Sequence, residues 1–197
     1  MAYECVVVAA GASSRMGAWK PLLPFGAGTV IGATVAAALA AGSRVVLVTG
    51  YRGDELAGLF AGEAAVRCVA NPEWERGLLG SVLRGVRASS GARVFLMNGD
   101  KPLVKPETYV LLAAEADRRL AAGLPDLPLF PAFGGKAGHP VLIPRGIALG
   151  ASALPPDARM RDHLAAHSPI LIDCADEGVL LDIDTPEDYE RLRGSVS

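Results

Sequence analysis

Apolar residues occupy four or more successive positions at several places along the chain, as at 5–10, 45–48 and 94–97. A strand that is apolar at every position is buried on both faces, as in a parallel sheet covered by helices. Ala- and Leu-rich segments with helical spacing separate these runs, as at 30–41 and 106–122. The alternation predicts an α/β fold, Rossmann-like and three-layered, with a mainly parallel sheet and helices on both faces.

The same patterns place the individual elements of the first part of the chain. Thr29 is a suitable N-cap for the first helix, and Pro106 suits the first turn of the longest one. Strands are predicted at 3–8, 44–50, 65–70 and 93–100, and helices at 30–41, 54–60, 81–88 and 106–122.

The pattern becomes irregular after residue 123. The stretch "LPDLPLFPAFGGKAGHPVLIP" holds five prolines, and two strand-like pieces flank its glycines. We expect a small, irregular antiparallel extension of the sheet there. Pro186 suits the first turn of the final helix, with Thr185 as its N-cap. The predicted elements are strands at 127–133, 140–143 and 169–175, a helix near 159–167, and a strand leading into the final helix within 178–192.

Composition excludes several classes of protein. Apolar residues make up 51% and charged residues 20%, and the net charge of −2 argues against a nucleic-acid-binding protein. Cys5, Cys68 and Cys174 are odd in number and far apart, which indicates buried thiols in a reducing compartment. No apolar run approaches the ~18 residues that span a bilayer, and the N-terminus lacks the basic region of a signal peptide. We expect a cytoplasmic protein without a membrane or nucleic-acid partner.

The stretch "AAGASSRMGAWK", residues 9–20, follows the first predicted strand. Ligands of open α/β sheets bind at the carboxyl ends of the strands, and glycine lets backbone N–H groups approach an anion. Arg15 can fork onto phosphate oxygens, and Lys20 adds a point charge. Ser13 breaks the dinucleotide fingerprint, which disfavours an NAD-dependent dehydrogenase, and the residue after Gly17 breaks the P-loop pattern. The loop predicts a polyphosphate site; an ordinary turn with surface cations is the alternative.

Three carboxylates complete the candidate site. Asp100 ends the fourth predicted strand, and Asp182 and Asp184 lie two apart in a later one, where alternate side chains point the same way. Mg²⁺ takes one or two carboxylates together with phosphates and water. We expect Asp100 and at least one of the pair to bind Mg²⁺. The alternative for Asp184 is a capping role before the helix at Thr185.

The chain resembles a known family in five segments. "AAGASSRMGAWKPLLPF" is similar to the N-terminal signature of the MobA-like nucleotidyltransferases, and within them to the molybdenum cofactor cytidylyltransferase branch. Four further segments are similar in the same order. They are "NPEWERGLLGSVLRG", "NGDKPLVKPET", "GKAGHPVLIP" and "LDIDTPEDYERL". The resemblance implies a single nucleotidyltransferase domain, in which residues 1–123 bind the nucleotide and 124–197 bind the acceptor and complete the metal site.

The resemblance also implies roles for individual residues. His139 and Gly138 would contact the acceptor substrate, although a lone histidine could equally be structural. Lys101, where the family commonly has glutamine, either reaches a phosphate or is only solvated. Apart from the resemblance, the charges of Arg159 and Arg161 suit an acceptor phosphate. The nucleotide would be bound by Ala9, Ala10, Gly11, Ser13, Ser14, Arg15, Gly17, Lys20, Asn71, Gly77 and Ser81, although Asn71-Pro72 could equally be a turn.

The predicted reaction moves a nucleoside monophosphate to a phosphate-bearing acceptor and releases pyrophosphate, with Arg15, Lys20 and Asp100 as catalytic residues. Ala10 stands where guanylyl-transferring relatives typically carry glycine, and its side chain narrows the space near the base. CTP is therefore favoured, with molybdopterin as acceptor and a cofactor-receiving enzyme or chaperone as possible partner. The alternatives are transfer to a sugar or polyol phosphate, and a non-catalytic nucleotide-binding accessory protein in cofactor assembly.

Overall fold

The computed structural model describes residues 3–196, and of Arg15 and Val196 only the backbone. The strands are β1 Glu4–Ala9, β2 Pro24–Phe25, β3 Gly28–Thr29, β4 Arg44–Thr49, β5 Val66–Ala70, β6 Arg93–Asn98, β7 Leu129–Phe133, β8 Lys136–Ala137, β9 Val141–Pro144 and β10 Ile170–Asp173. The α-helices are α1 Val30–Ala40, α2 Gly53–Leu59, α3 Leu78–Ala88, α4 Pro106–Ala121, α5 Arg145–Gly150, α6 Met160–Ala165 and α7 Pro186–Arg193.

The main sheet has the strand order β10-β7-β9-β6-β1-β4-β5, and β8 pairs with β7. β1 is parallel to both β4 and β6, and β4 is parallel to β5. β9 runs antiparallel between β6 and β7, so β7 and β10 again point in the direction of β6. The predicted three-layer fold with a mainly parallel sheet is confirmed. Its antiparallel strands come from the C-terminal half, and β9 lies inside the sheet.

Alternate residues of the central strands enter two separate cores. On β1, Cys5 and Val7 pack in the cluster that contains residues of α1, α2 and α4, while Val6 and Val8 pack in the cluster with residues of α3, α5 and α6. Period-two alternation explains why these strands are apolar throughout. Gly85 lets α3 approach the sheet, because a Cβ at this position would overlap the side chains of Val6 and Val48.

The helix termini follow the predicted caps. Thr29 accepts a hydrogen bond from the N–H of Gly32, and Thr185 forms a capping box with Asp188 at the start of α7. The helix α5 was not predicted. In the described part of the chain no helix combines the length and hydropathy needed to cross a membrane.

The predicted strand within 178–192 is wrong. Residues 177–180 form a 3₁₀ turn, and 181–184 make no strand ladder. One backbone hydrogen bond, from the N–H of Ile183 to the carbonyl of Asp100 at 3.0 Å, joins this segment to the end of β6. The side chain of Ile183 is buried among residues of α1, β2 and α7. The two acids of this segment therefore reach the sheet edge on an irregular chain.

Candidate active site

The loop after β1 turns back on itself and returns Lys20 to the carboxyl end of the sheet. Ser13 adopts left-handed backbone angles (φ 56°) and precedes a 3₁₀ turn at Ser14–Met16, and Gly17 follows with φ 65°. The Ser13 hydroxyl accepts a hydrogen bond from the N–H of Lys20 at 3.2 Å. Glycine suits position 17, because residues with a side chain adopt positive φ less readily.

Lys20 joins the two acidic segments. Its Nζ lies 2.8 Å from Oδ2 of Asp100 and 3.2 Å from Oδ1 of Asp184. The three side chains are 13%, 24% and 35% exposed, in the order Lys20, Asp100 and Asp184. The predicted cation and the predicted acid are thus in direct contact at one edge of the sheet, although 80 residues separate them in the chain.

A cleft of about 500 Å³ opens above this group, and we call it the first cleft. Trp74, Glu75, Leu78 and Asn98 also line it, although sequence reasoning gave them no role. Asn98, the last residue of β6 and two positions before Asp100, could have been found from its place at a strand's carboxyl end. The predicted site residues in its wall are Ala9, Ala10, Gly11, Ser13, Ser14, Lys20, Gly77, Ser81, Asp100, Asp182 and Asp184.

Two predicted nucleotide-binding residues, Asn71 and Gly17, do not lie in the wall of the first cleft. Asn71 is buried behind the wall, where its Nδ2 donates to Oγ of Ser81 at 2.9 Å and its Oδ1 accepts from the N–H of Glu73. The side chain of Arg15, predicted to be catalytic, lies outside the described part of the structure.

A second cleft of about 460 Å³ adjoins the first and shares Val8, Gly77, Leu78 and Asn98 with it. Gly138 and His139 line it, as do Arg159 and Arg161. The remaining wall is largely apolar and includes Leu96, Phe130, Val141, Met160 and Leu164. The structure thus brings the predicted acceptor residues together, beside the first cleft.

His139 is held in this wall as a neutral imidazole. The backbone N–H of His139 donates a hydrogen bond to the carbonyl of Val179 at 3.0 Å, which fixes the backbone at this position. Burial lowers the pKa of His139 to about 3, and the positive charges of Lys101 and Arg161 add to the effect. A neutral ring can donate one hydrogen bond and accept another, but it adds no positive charge to the cleft.

Lys101 is not solvated, so that interpretation of the sequence is wrong. Its side chain is 5% exposed, and its Nζ lies 3.8 Å from Oδ2 of Asp182. It lines neither cleft. Asp182 and Asp184 therefore face different lysines, since Asp184 is paired with Lys20.

The oxygen donors fit Mg²⁺. Oδ1 of Asp100 is buried and has no hydrogen-bond partner among the described residues. Asp184 lies near Asp100, because both carboxylates contact Lys20. Within residues 3–196 no cluster of three or more acidic, histidine or cysteine side chains is arranged to hold a metal. Magnesium bound to a nucleotide needs only one or two carboxylates, because phosphates and water supply the other ligands.

Comparison with known proteins identifies the family of the chain. The profile of the MobA-like NTP transferase domain matches residues 5–170. The chain belongs to the MobA-like NTP transferase family. It is 34% identical to the molybdenum cofactor cytidylyltransferase of Escherichia coli (strain K12) over 188 residues, which cover 95% of this chain and 94% of that protein.

Two further relatives extend the comparison. The chain is 30% identical to the nicotine blue oxidoreductase of Paenarthrobacter nicotinovorans, over 95% of this chain and 94% of that protein. A nucleotidyl transferase from Methanothermobacter thermautotroptrophicus superposes with a TM-score of 0.85 at 29% identity, over 99% of this chain and 97% of that one. The protein is a nucleotidyltransferase of the MobA-like type, and its substrate is a nucleoside triphosphate.

Proposed function

We propose that the protein transfers CMP from CTP to molybdopterin and releases pyrophosphate. The observation that carries the proposal is the contact of Lys20 with Asp100 and Asp184 beneath the backbone of residues 9–14, in one cleft at the carboxyl ends of the strands. The backbone of residues 9–14 and the ammonium of Lys20 would bind the triphosphate in this cleft, and the carboxylates would bind its Mg²⁺.

The reaction needs no protein nucleophile. An oxygen of the acceptor phosphate forms a bond to the α-phosphorus of CTP, and the bond from that phosphorus to the bridging oxygen breaks. Pyrophosphate leaves with the electron pair. Lys20 stabilises the charge on the leaving group, and we propose the same role for Arg15. Mg²⁺, held by Asp100 with Asp184, would neutralise phosphate charge when it is bound.

The preference for CTP rests on Ala10 and on a relative. Ala10 is 4% exposed, belongs to the core cluster of Val6 and Val8, and lines the first cleft; we propose that its methyl group limits the space for the base. A pyrimidine fits such a space better than a purine. The Escherichia coli relative is named as a cytidylyltransferase.

The second cleft supports a ring-bearing acceptor over a polyol phosphate. Its apolar wall would pack against a flat ring system, whereas the hydroxyl groups of a polyol would need polar partners there. Arg159 and Arg161 at this cleft would bind the acceptor phosphate. We assign residues 1–123 to the nucleotide and 124–197 to the acceptor and the metal.

The protein would act in the cytoplasm, because its three cysteines are free thiols. It would hand the product to a cofactor-receiving enzyme or chaperone.

Transfer of label from α-labelled nucleotide tests the proposal. CTP, GTP, ATP and UTP are each offered with Mg²⁺ and either molybdopterin or a polyol phosphate. We expect labelled product and one pyrophosphate per transfer with CTP and molybdopterin. Transfer to the polyol phosphate alone would show that the acceptor is not molybdopterin. Preference for another nucleotide would show that CTP is not the donor. Binding of CTP without transfer to either acceptor would favour an accessory role.

A further inference from the structure

Lys101 is a buried lysine next to two acids of the first cleft, Asp100 and Asp182. It follows Asp100 directly, and its side chain is 5% exposed. Among the described residues Asp182 is its only ion-pair partner, and the 3.8 Å separation of Nζ and Oδ2 is too long for a hydrogen bond. A buried ammonium is unfavourable unless a nearby charge compensates it. The burial of Lys101 therefore needs an explanation in terms of the charges around it.

The charges around it indicate that role. Three carboxylates, those of Asp100, Asp182 and Asp184, line the cleft that we assign to the triphosphate. Lys20 faces two of them, and Lys101 faces the third. Asp182 is 46% exposed, so water screens part of its charge, and without Lys101 the remaining charge would repel the phosphates.

We infer that Lys101 is a positioning residue for the triphosphate, because its buried ammonium neutralises Asp182 without itself lining either cleft. The inference rests on the proposed function, since it assumes a triphosphate in the first cleft. It predicts that the sign of the charge, and not the shape of the side chain, decides the effect of substitution. Lys101 and Asp182 should therefore have opposite effects on triphosphate binding.

Calorimetric titration with the α,β-methylene analogue of CTP and with neutral cytidine, both with Mg²⁺, tests this. Lys101→Gln should raise the dissociation constant of the analogue about tenfold, which is about 1.4 kcal/mol. It should change the dissociation constant of cytidine by no more than about twofold. Asp182→Asn should tighten the analogue by about threefold or more. The double variant should return to within about threefold of the unmodified protein. These differences should shrink at high salt, because ions screen charges near the surface.

Lys105→Gln is the matched control, since Lys105 is an exposed lysine four positions further on. Equal loss of analogue and cytidine in Lys101→Gln would show a structural role and overturn the inference. So would unchanged analogue binding, or a double variant as weak as Lys101→Gln. If Lys101→Gln does not fold, Asp182→Asn decides alone, and unchanged or weaker analogue binding contradicts the inference. Failure of the unmodified protein to bind the analogue at all would instead overturn the proposed function.

Discussion

Replacement of Lys20 by methionine removes the charge while keeping the length of the side chain. The ammonium makes contacts of 2.8 and 3.2 Å with carboxylates that are 24% and 35% exposed. Partial exposure lets water solvate both acids once the lysine is gone, so the loss of unfolding free energy should be modest, about 1–3 kcal/mol. For a chain of 197 residues this lowers Tm by roughly 2–12 °C.

The effect on catalysis should be larger than the effect on stability. Removal of one preorganised charge from a site of this kind typically lowers the rate by ~10²–10³-fold, or about 3–4 kcal/mol. We therefore expect kcat/KM for CTP to fall at least 10²-fold in Lys20→Met, while the protein remains folded at 25 °C. Pyrophosphate release measures the rate, and thermal unfolding measures the stability.

Lys105→Met provides the control, because this exposed lysine lies outside both clefts. It should leave rate and Tm nearly unchanged. The reasoning fails if Lys20→Met turns over at the rate of the unmodified protein. It also fails if the rate falls only in proportion to the unfolded fraction.

Three other substitutions test separate parts of the account. Ala10→Gly should lower the preference for CTP over GTP about tenfold, measured as the ratio of kcat/KM values; an unchanged ratio would exclude Ala10 as the determinant. In the unmodified protein, the pKa of His139 is lowered to about 3 from about 6.5 when unfolded, so unfolding free energy is lost as pH falls below about 6.5. Between pH 7 and pH 5, the unfolding free energy of His139→Gln, measured by urea titration, should therefore fall by up to about 2 kcal/mol less than that of the unmodified protein. Equal falls in the two proteins would contradict a neutral His139 ring in the folded state. Gly85→Ala should lower the unfolding free energy by about 1–3 kcal/mol because its methyl group overlaps the sheet, whereas Gly80→Ala, in open space on the same helix, should not.

The sequence predicted the central strands because local periodicity reports burial. Runs such as 5–10 are apolar at every position only where both sheet faces are covered, and β1 has two cores. The direction of β9 carries no such signal, since a strand reads alike in either orientation. Residues 178–184 resembled a strand by their apolar residues, yet Ile183 is buried against helices and makes one backbone bond to Asp100.

The site was predictable where charged or glycine residues stand at strand ends. The glycine turn returns Lys20 to Asp100, and the binding of a polyphosphate by residues 9–20 stays a prediction. The burial of Lys101 could not be predicted, because it depends on an ion pair with Asp182 from a distant segment. For the same reason Asn71 could not be recognised as the hydrogen-bond donor behind Ser81. Long-range partners of this kind are fixed by tertiary structure.

A crystal structure with Mg²⁺ and the α,β-methylene analogue of CTP tests the central claim most directly. We predict the triphosphate in the first cleft along the backbone of residues 9–14, with Lys20 on its phosphates and Asp100 as a ligand of the ion. Nucleotide density outside this cleft, or an ion held without Asp100, would contradict the account.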